Sequence, residues 1–208
     1  ILASGDMLSG DREEGDAIAV ALLSRLSDLA PVCFVNGNHE MCVERHQPER
    51  YQKFMDDLKN GGVQVLHNET AWFWIDGEKV AVTGYELPWE YYRRFSRRHP
   101  SVVGMERSIG KRKQDAYQIL LTHNPVFFEE YAAWGADFTF AGHLHGGFIR
   151  LPYFGGVISP QFQLFPKYDH GLYQMDTSSM VVGAGMGNHS GLFRINNPTE
   201  IVTVRIKR

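Results

Sequence analysis

The chain has 208 residues and a formal net charge of −3, with 43% hydrophobic and 22% charged residues. This is an ordinary globular composition, which excludes a disordered, collagen-like or disulfide-dense chain, and the length suits one sizeable core. The charge gives no global basic signature for nucleic acid, no apolar run approaches the roughly 18 residues a membrane helix needs, and no basic start followed by an apolar stretch marks a secretory signal.

In chain order, a first apolar run ends at Ser4-Gly5-Asp6. A helix is predicted to open near Asp11, with Glu14 three residues on completing a capping-box pattern. Ile18, Leu22, Leu26 and Leu29 are predicted to form its core-facing side, and Pro31 stops it. Residues 32–35 read as a buried strand in which Cys33 is a buried thiol. The other cysteine, Cys42, completes neither a zinc-ligand spacing nor a disulfide framework with it. The strand ends in the loop Asn36-Gly37-Asn38-His39-Glu40. Pro48 opens a second helix, with Tyr51, Phe54, Met55 and Leu58 on its apolar face and Gly61-Gly62 at its end. Residues 63–66, 71–75 and 80–83 read as strands, with Asp76-Gly77 marking a hairpin whose loop is expected to be slightly longer than two residues.

Segment 91–113 carries eight basic residues against Glu106 alone. It reads as a solvated insertion, or as a face toward an anionic substrate or membrane surface, with Tyr91, Tyr92 and Phe95 suited to a lipid-facing edge. Residues 119–122 form a strand ending at His123, after which Asn124-Pro125 caps a short helix. Residues 138–141 form another, ending at Gly142-His143-Leu144-His145-Gly146-Gly147. Residues 172–175, 180–183 and 201–206 read as β. Strand–helix alternation followed by a β-rich tail predicts a single α/β sandwich with at least one mixed sheet.

Four predicted strands thus end in a candidate metal ligand: Asp6, Asn38-His39, His123 and His143-Leu144-His145. Open α/β sheets place ligand sites at the carboxyl ends of their strands, so these loops can converge. One carboxylate, one amide oxygen and several imidazoles suit Mn, Fe, Zn or Ni, and argue against a structural cysteine-type zinc site. A carboxylate can also bridge two metals, and such a pair activates water and clamps a phosphoryl group.

The ordered set Gly5-Asp6, Gly37-Asn38-His39-Glu40, His123 and Gly142-His143-Leu144-His145 resembles the calcineurin-like metallophosphoesterase superfamily. The segments 141–147, 149–152 and 167–173 resemble one bacterial, membrane-associated phosphohydrolase branch of it. The resemblance implies an α/β/β/α sandwich of two mixed β-sheets flanked by helices, spanning 1–208 as a single domain. It implies two divalent metal ions (Mn, Fe, Zn or Mg) and hydrolysis of a phosphoester or pyrophosphate by a metal-bridging hydroxide. Asp6 would bridge the metals, Asn38, His123 and His143 would complete one site, and His145 would serve the other. His39 would be catalytic, stabilising the transition state or protonating the leaving oxygen. Glu40 either orients His39 or is a solvated loop residue. His189 and Arg194, in a polar C-terminal loop, are candidate substrate contacts.

The superfamily's first motif, Asp-x-His, has no counterpart before Asp6. With a chain that starts inside an apolar run, this predicts a further strand upstream of Ile1, and localisation stays open between cytoplasm and a membrane reached through such a segment. The substrate expected is a phosphorylated small molecule or a lipid-linked phosphate. The alternatives are a metal-depleted binding domain and a metallo-nuclease, the latter disfavoured by the net charge.

Overall fold

Two stacked sheets with helices on their outer faces carry the candidate ligands at one rim. The computed structural model describes residues 1–10, 13–93, 98–147, 150–151, 155–156, 165–187 and 194–207. Strands β1 (Leu2–Ala3), β2 (Cys33–Phe34) and β3 (Gln64–Val65) form a three-stranded sheet in that order, all parallel. The second sheet contains β4 (Thr70–Ile75), β5 (Glu78–Tyr85), β6 (Tyr117–Thr122) and β7 (Phe138–Ala141). A short separate hairpin, β8 (Arg150–Leu151) with β9 (Gly155–Gly156), follows. Strands β10 (Gly171–Met175) and β11 (Ser178–Val182) then complete the six-stranded sheet, in the order β10-β11-β7-β6-β5-β4. Its four central strands are parallel and its two edges antiparallel. The expected two sheets flanked by helices are present; among the described residues the six-stranded sheet is mixed, while β1–β3 pair in parallel.

The layers follow from side-chain alternation along the strands. Cys33 and Val35 point from the first sheet toward Val80, Val82, Ile119 and Leu121 of the second, making the inter-sheet core. Burial pushes the Cys33 thiol up to about 11, so it packs as an inert neutral group, as the sequence suggested. Val32 and Phe34 point the other way, into helices α1 (Asp16–Ser27) and α3 (Pro48–Asn60). Between these helices in the chain lies α2 (Asn38–His46). Beyond the second sheet, α4 (Val102–Ile109) and α5 (Phe128–Trp134) close the outer core around Leu120, Met105 and Tyr131. Among the described residues, no helix is long and apolar enough to cross a membrane.

Several expectations hold closely. The α3 face of Tyr51, Phe54, Met55 and Leu58 is buried throughout, and Asn124 caps the 3-10 turn Pro125–Phe127 by accepting the Val126 N–H. Others do not hold. Helix α1 opens at Asp16 behind an uncapped Gly15, five residues beyond Asp11, which lies outside the described residues. Its inward face is Ala19, Val20, Leu23 and Leu26, while Ile18 and Leu29 are 71% and 79% exposed. An apolar run from Ala17 to Leu23 offers more than one stripe, so spacing alone could not choose the buried side. The Asp76-Gly77 hairpin is tight: Ile75 pairs with Glu78, and both loop residues take positive φ, the two-residue turn that matches strand twist. Residues 201–206 form no strand, because β-branched composition needs a partner edge as well as propensity.

Candidate metal centre

The Gly5-Asp6 and Gly37-Asn38 loops meet back to back at the carboxyl ends of β1 and β2. A Cβ on Gly5 would fall 2.3 Å from the Gly37 nitrogen, and one on Gly37 would fall 2.2 Å from an Asp6 carboxylate oxygen. Only glycines permit this approach, which brings the Asp6 carboxylate over the start of α2. Asp6 itself sits in the left-handed region at φ 59°. Its Oδ1 accepts the His39 N–H at 3.0 Å, so the first turn of α2 helps to hold the anion.

Glu40 explains how the two loops stay together. It is fully buried; Oε2 accepts the Asp6 and Gly37 N–H groups, both at 2.7 Å, and Oε1 accepts the Leu8 N–H at 2.8 Å. The residue neither orients His39 through these bonds nor faces solvent; it staples the Asp6 loop to the Asn38 loop. Burial and the nearby Asp6 charge raise its pKa, and the three amide donors oppose that rise. The bond to Gly37 is half of a capping box, and it starts a helix where the sequence reads as an extended loop.

The other half of the centre comes from β6 and β7. His123 follows β6 directly and is buried; its Nδ1 lies 2.5 Å from the Ser4 carbonyl oxygen. A carbonyl only accepts, so Nδ1 carries the hydrogen and Nε2 is the inward-facing ligand atom. That Nε2 is 3.0 Å from Asp6 Oδ2 and 3.1 Å from His143 Nδ1. One ligand atom from each of Asp6, His123 and His143 lies within 4.8 Å of the others.

The electrostatics hold an anionic carboxylate among imidazoles. Burial disfavours the Asp6 carboxylate, but His123, His39 and His143 together hold its pKa far below the usual carboxylate range. Burial lowers the His123 pKa, yet the Asp6 carboxylate outweighs it and the net direction is up. Burial and the His123 charge push His143 well down, keeping that imidazole neutral and ready to ligate. Two buried polar atoms, His143 Nε2 and Asn38 Oδ1, have no hydrogen-bond partner among the described residues. Buried polar atoms without a partner are costly unless an ion or water meets them. The donor set of carboxylate, amide oxygen and two imidazoles fits a divalent transition metal.

His145 lies on the same loop but outside the three-residue cluster, and it is partly exposed. His39 sits at the second residue of α2, one position after Asn38. Arg194 donates to the carbonyls of Ala184, at 2.8 Å, and Gly187, so its guanidinium clamps that loop. His189 lies outside the described residues. One neighbour of the centre was absent from the sequence-derived site. Tyr92, at the end of the 3-10 turn Trp89–Tyr92, is buried with its ring edge-on to His143 at 5.3 Å and tilted against His123 at 6.1 Å. Tyr91 packs edge-on to Phe127. These two aromatics therefore face protein rather than a lipid edge, and Phe95 lies outside the described residues.

The family model for calcineurin-like phosphoesterases matches residues 1–147, which include every ligand loop just described. The chain belongs to this family. It is 27% identical to YpbG of Bacillus subtilis over 72% of this chain and 53% of that protein. It is 29% identical to the metallophosphoesterase YkuE of B. subtilis over 100% of this chain and 67% of YkuE. Against the phosphodiesterase YaeI of Escherichia coli the identity is 24%, over 99% of this chain and 69% of YaeI. The chain thus spans between half and about two thirds of the length of these curated relatives. A solved structure of the sulfate thiohydrolase SoxB from Thermus thermophilus superposes with a TM-score of 0.51 at 16% identity, over 89% of this chain and 34% of that one. That likeness shows a shared fold.

Proposed function

We propose that this chain is the catalytic domain of a divalent-metal-dependent phosphohydrolase that cleaves a phosphoester or pyrophosphate bond. The observation that carries the reading is the convergence of Asp6, His123 and His143, beside which His143 Nε2 and, at the first residue of α2, Asn38 Oδ1 are buried without a hydrogen-bond partner among the described residues. Asp6, Asn38, His123 and His143 would hold the ion, with His145 available to a second one. A bound divalent cation polarises a phosphoryl oxygen and makes water a competent nucleophile near neutral pH. The residues of the chain supply the rest. The first turn of α2 favours negative charge beside Asp6. His39 donates a proton to the leaving oxygen. Tyr92 covers one side of the imidazole pair, and the exposed Arg93 beside it begins the basic segment, which supports an anionic substrate such as a phosphorylated small molecule or lipid-linked phosphate.

The test is hydrolysis of phenyl and p-nitrophenyl phosphodiesters with Mn²⁺ and after chelation. Turnover that disappears on chelation and returns with Mn²⁺ is expected; metal-independent turnover, or none, contradicts the reading. His39→Ala should lower turnover about 10²–10⁴-fold with unchanged metal content, and more for the poorer phenyl leaving group. Equal losses on both esters would remove the proton-donor role.

A further inference from the structure

The loop that carries His143 and His145 is unusual in its backbone. His143 and His145 both take positive φ, 65° and 50°, and Gly146 and Gly147 continue in that region at 68° and 83°. Left-handed conformations at non-glycine residues cost free energy and persist only where surrounding contacts impose them. Here the contact comes from a residue about fifty positions away. Asn197 is buried, and its Nδ2 donates to the His145 carbonyl at 2.5 Å and to the Gly147 carbonyl at 2.7 Å. Its Oδ1 lies where a Cβ on Gly146 would come within 2.9 Å, so the amide fills the hollow of the loop.

The segment that delivers Asn197 is anchored on both sides. Three residues before it, Arg194 donates to the Ala184 and Gly187 carbonyls. Three residues after it, Glu200 accepts the Ala184 N–H at 2.8 Å and pairs with His170. Between them, the Ile195 carbonyl accepts the Arg150 N–H and the Asn196 side chain donates to the Arg150 carbonyl. Residues 194–200 therefore form a bracket fixed to the glycine loop at 183–187 and to β8, with the Asn197 amide aimed at the histidine loop.

We propose that Asn197 is a positioning residue for the metal centre: its amide holds the His145–Gly147 backbone in the left-handed path that presents His143, and with it His145, to the ion. The proposal rests on the metal-dependent reading above. Partners that orient metal ligands typically change metal affinity by 10–100-fold when removed.

The experiment compares the wild-type chain with Asn197→Ala and Asn197→Asp. Mn²⁺ affinity is measured by calorimetry on chelator-stripped protein, the Gly146 and Gly147 amide resonances by NMR without metal, and thermal unfolding in chelator. Both variants are expected to shift the two amides and weaken Mn²⁺ binding at least tenfold while unfolding cooperatively. The Asp variant keeps the shape but cannot donate to two carbonyls, so it should be no better than Ala; an Asp variant that matches wild type would reduce Asn197 to packing and overturn the proposal. Unchanged amides, or shifted amides with Mn²⁺ affinity within twofold of wild type, would also overturn it. Absence of Mn²⁺ binding by the wild type would instead defeat the metal-dependent reading, and the positioning role with it.

Discussion

The two halves of the candidate metal centre are held by opposite means. Asp6 and Asn38 are fixed by a buried carboxylate, Glu40, which belongs to the same loop–helix junction as Asn38 and accepts three backbone N–H groups. The His143–His145 loop is fixed by a neutral amide, Asn197, from a distant segment, through two carbonyls. Hydrogen bonds to a charged partner contribute about 1.5–3 kcal/mol each, against about 0.5–1.5 for neutral ones. By this measure the N-terminal half should be the more firmly held and the histidine loop the more easily loosened.

The largest change should come from breaking the more firmly held half. Glu40→Ala leaves three amides without their acceptor and should cost about 3–5 kcal/mol in urea unfolding, with metal binding lost as well. Glu40→Gln keeps one acceptor oxygen and should cost less; a cost under about 1 kcal/mol for the Ala variant would show that the staple is not what joins the loops.

Gly37→Ala probes the close approach alone, since its φ of −95° suits any residue. The new methyl would push Asp6 out of the cluster. Metal affinity is expected to fall about tenfold, by analogy with the loss of a ligand-orienting partner, with only a modest drop in unfolding midpoint. Unchanged affinity by calorimetry would mean that Asp6 tolerates displacement.

The smallest effect concerns the outer support of the same loop. Glu86 Oε1 accepts the Asn36 N–H and pairs with His67 at 3.0 Å. That bond raises the His67 pKa above its ordinary 6.5 against the opposing effect of burial. The stabilisation is therefore complete below pH 6.5 and fades as pH rises through the raised value. His67→Gln should be less stable than wild type at pH 6, with the gap narrowing toward pH 9. A gap that widens with pH would reverse the sign of this linkage.

These contrasts also mark what could be read in the sequence. That Asp6, His123 and His143 end strands was legible because each follows a short apolar run, and parallel pairing in both sheets gathers these strand ends at one rim. The α3 face was legible because its polar and apolar residues separate cleanly at helical spacing. Helix α1 departs from its expected face because its apolar run has no single stripe, and α2 goes unread because Asn36-Gly37-Asn38-His39-Glu40 reads as the loop that ends a strand until Glu40 is seen closing back on Gly37. Tyr92 and Asn197 carry no local signal: one reaches the histidines from a basic segment, the other across about fifty residues. Contacts of that kind are made by tertiary packing alone.

Metal content per chain tests the central claim most directly. After dialysis with excess Mn²⁺ and removal of free ion, elemental analysis should find at least one metal per wild-type chain and none in Asp6→Ala, with circular dichroism confirming that the variant is folded. A wild-type chain without metal, or a folded Asp6→Ala variant that retains full content, would contradict the assignment of Asp6, His123 and His143 as a metal centre.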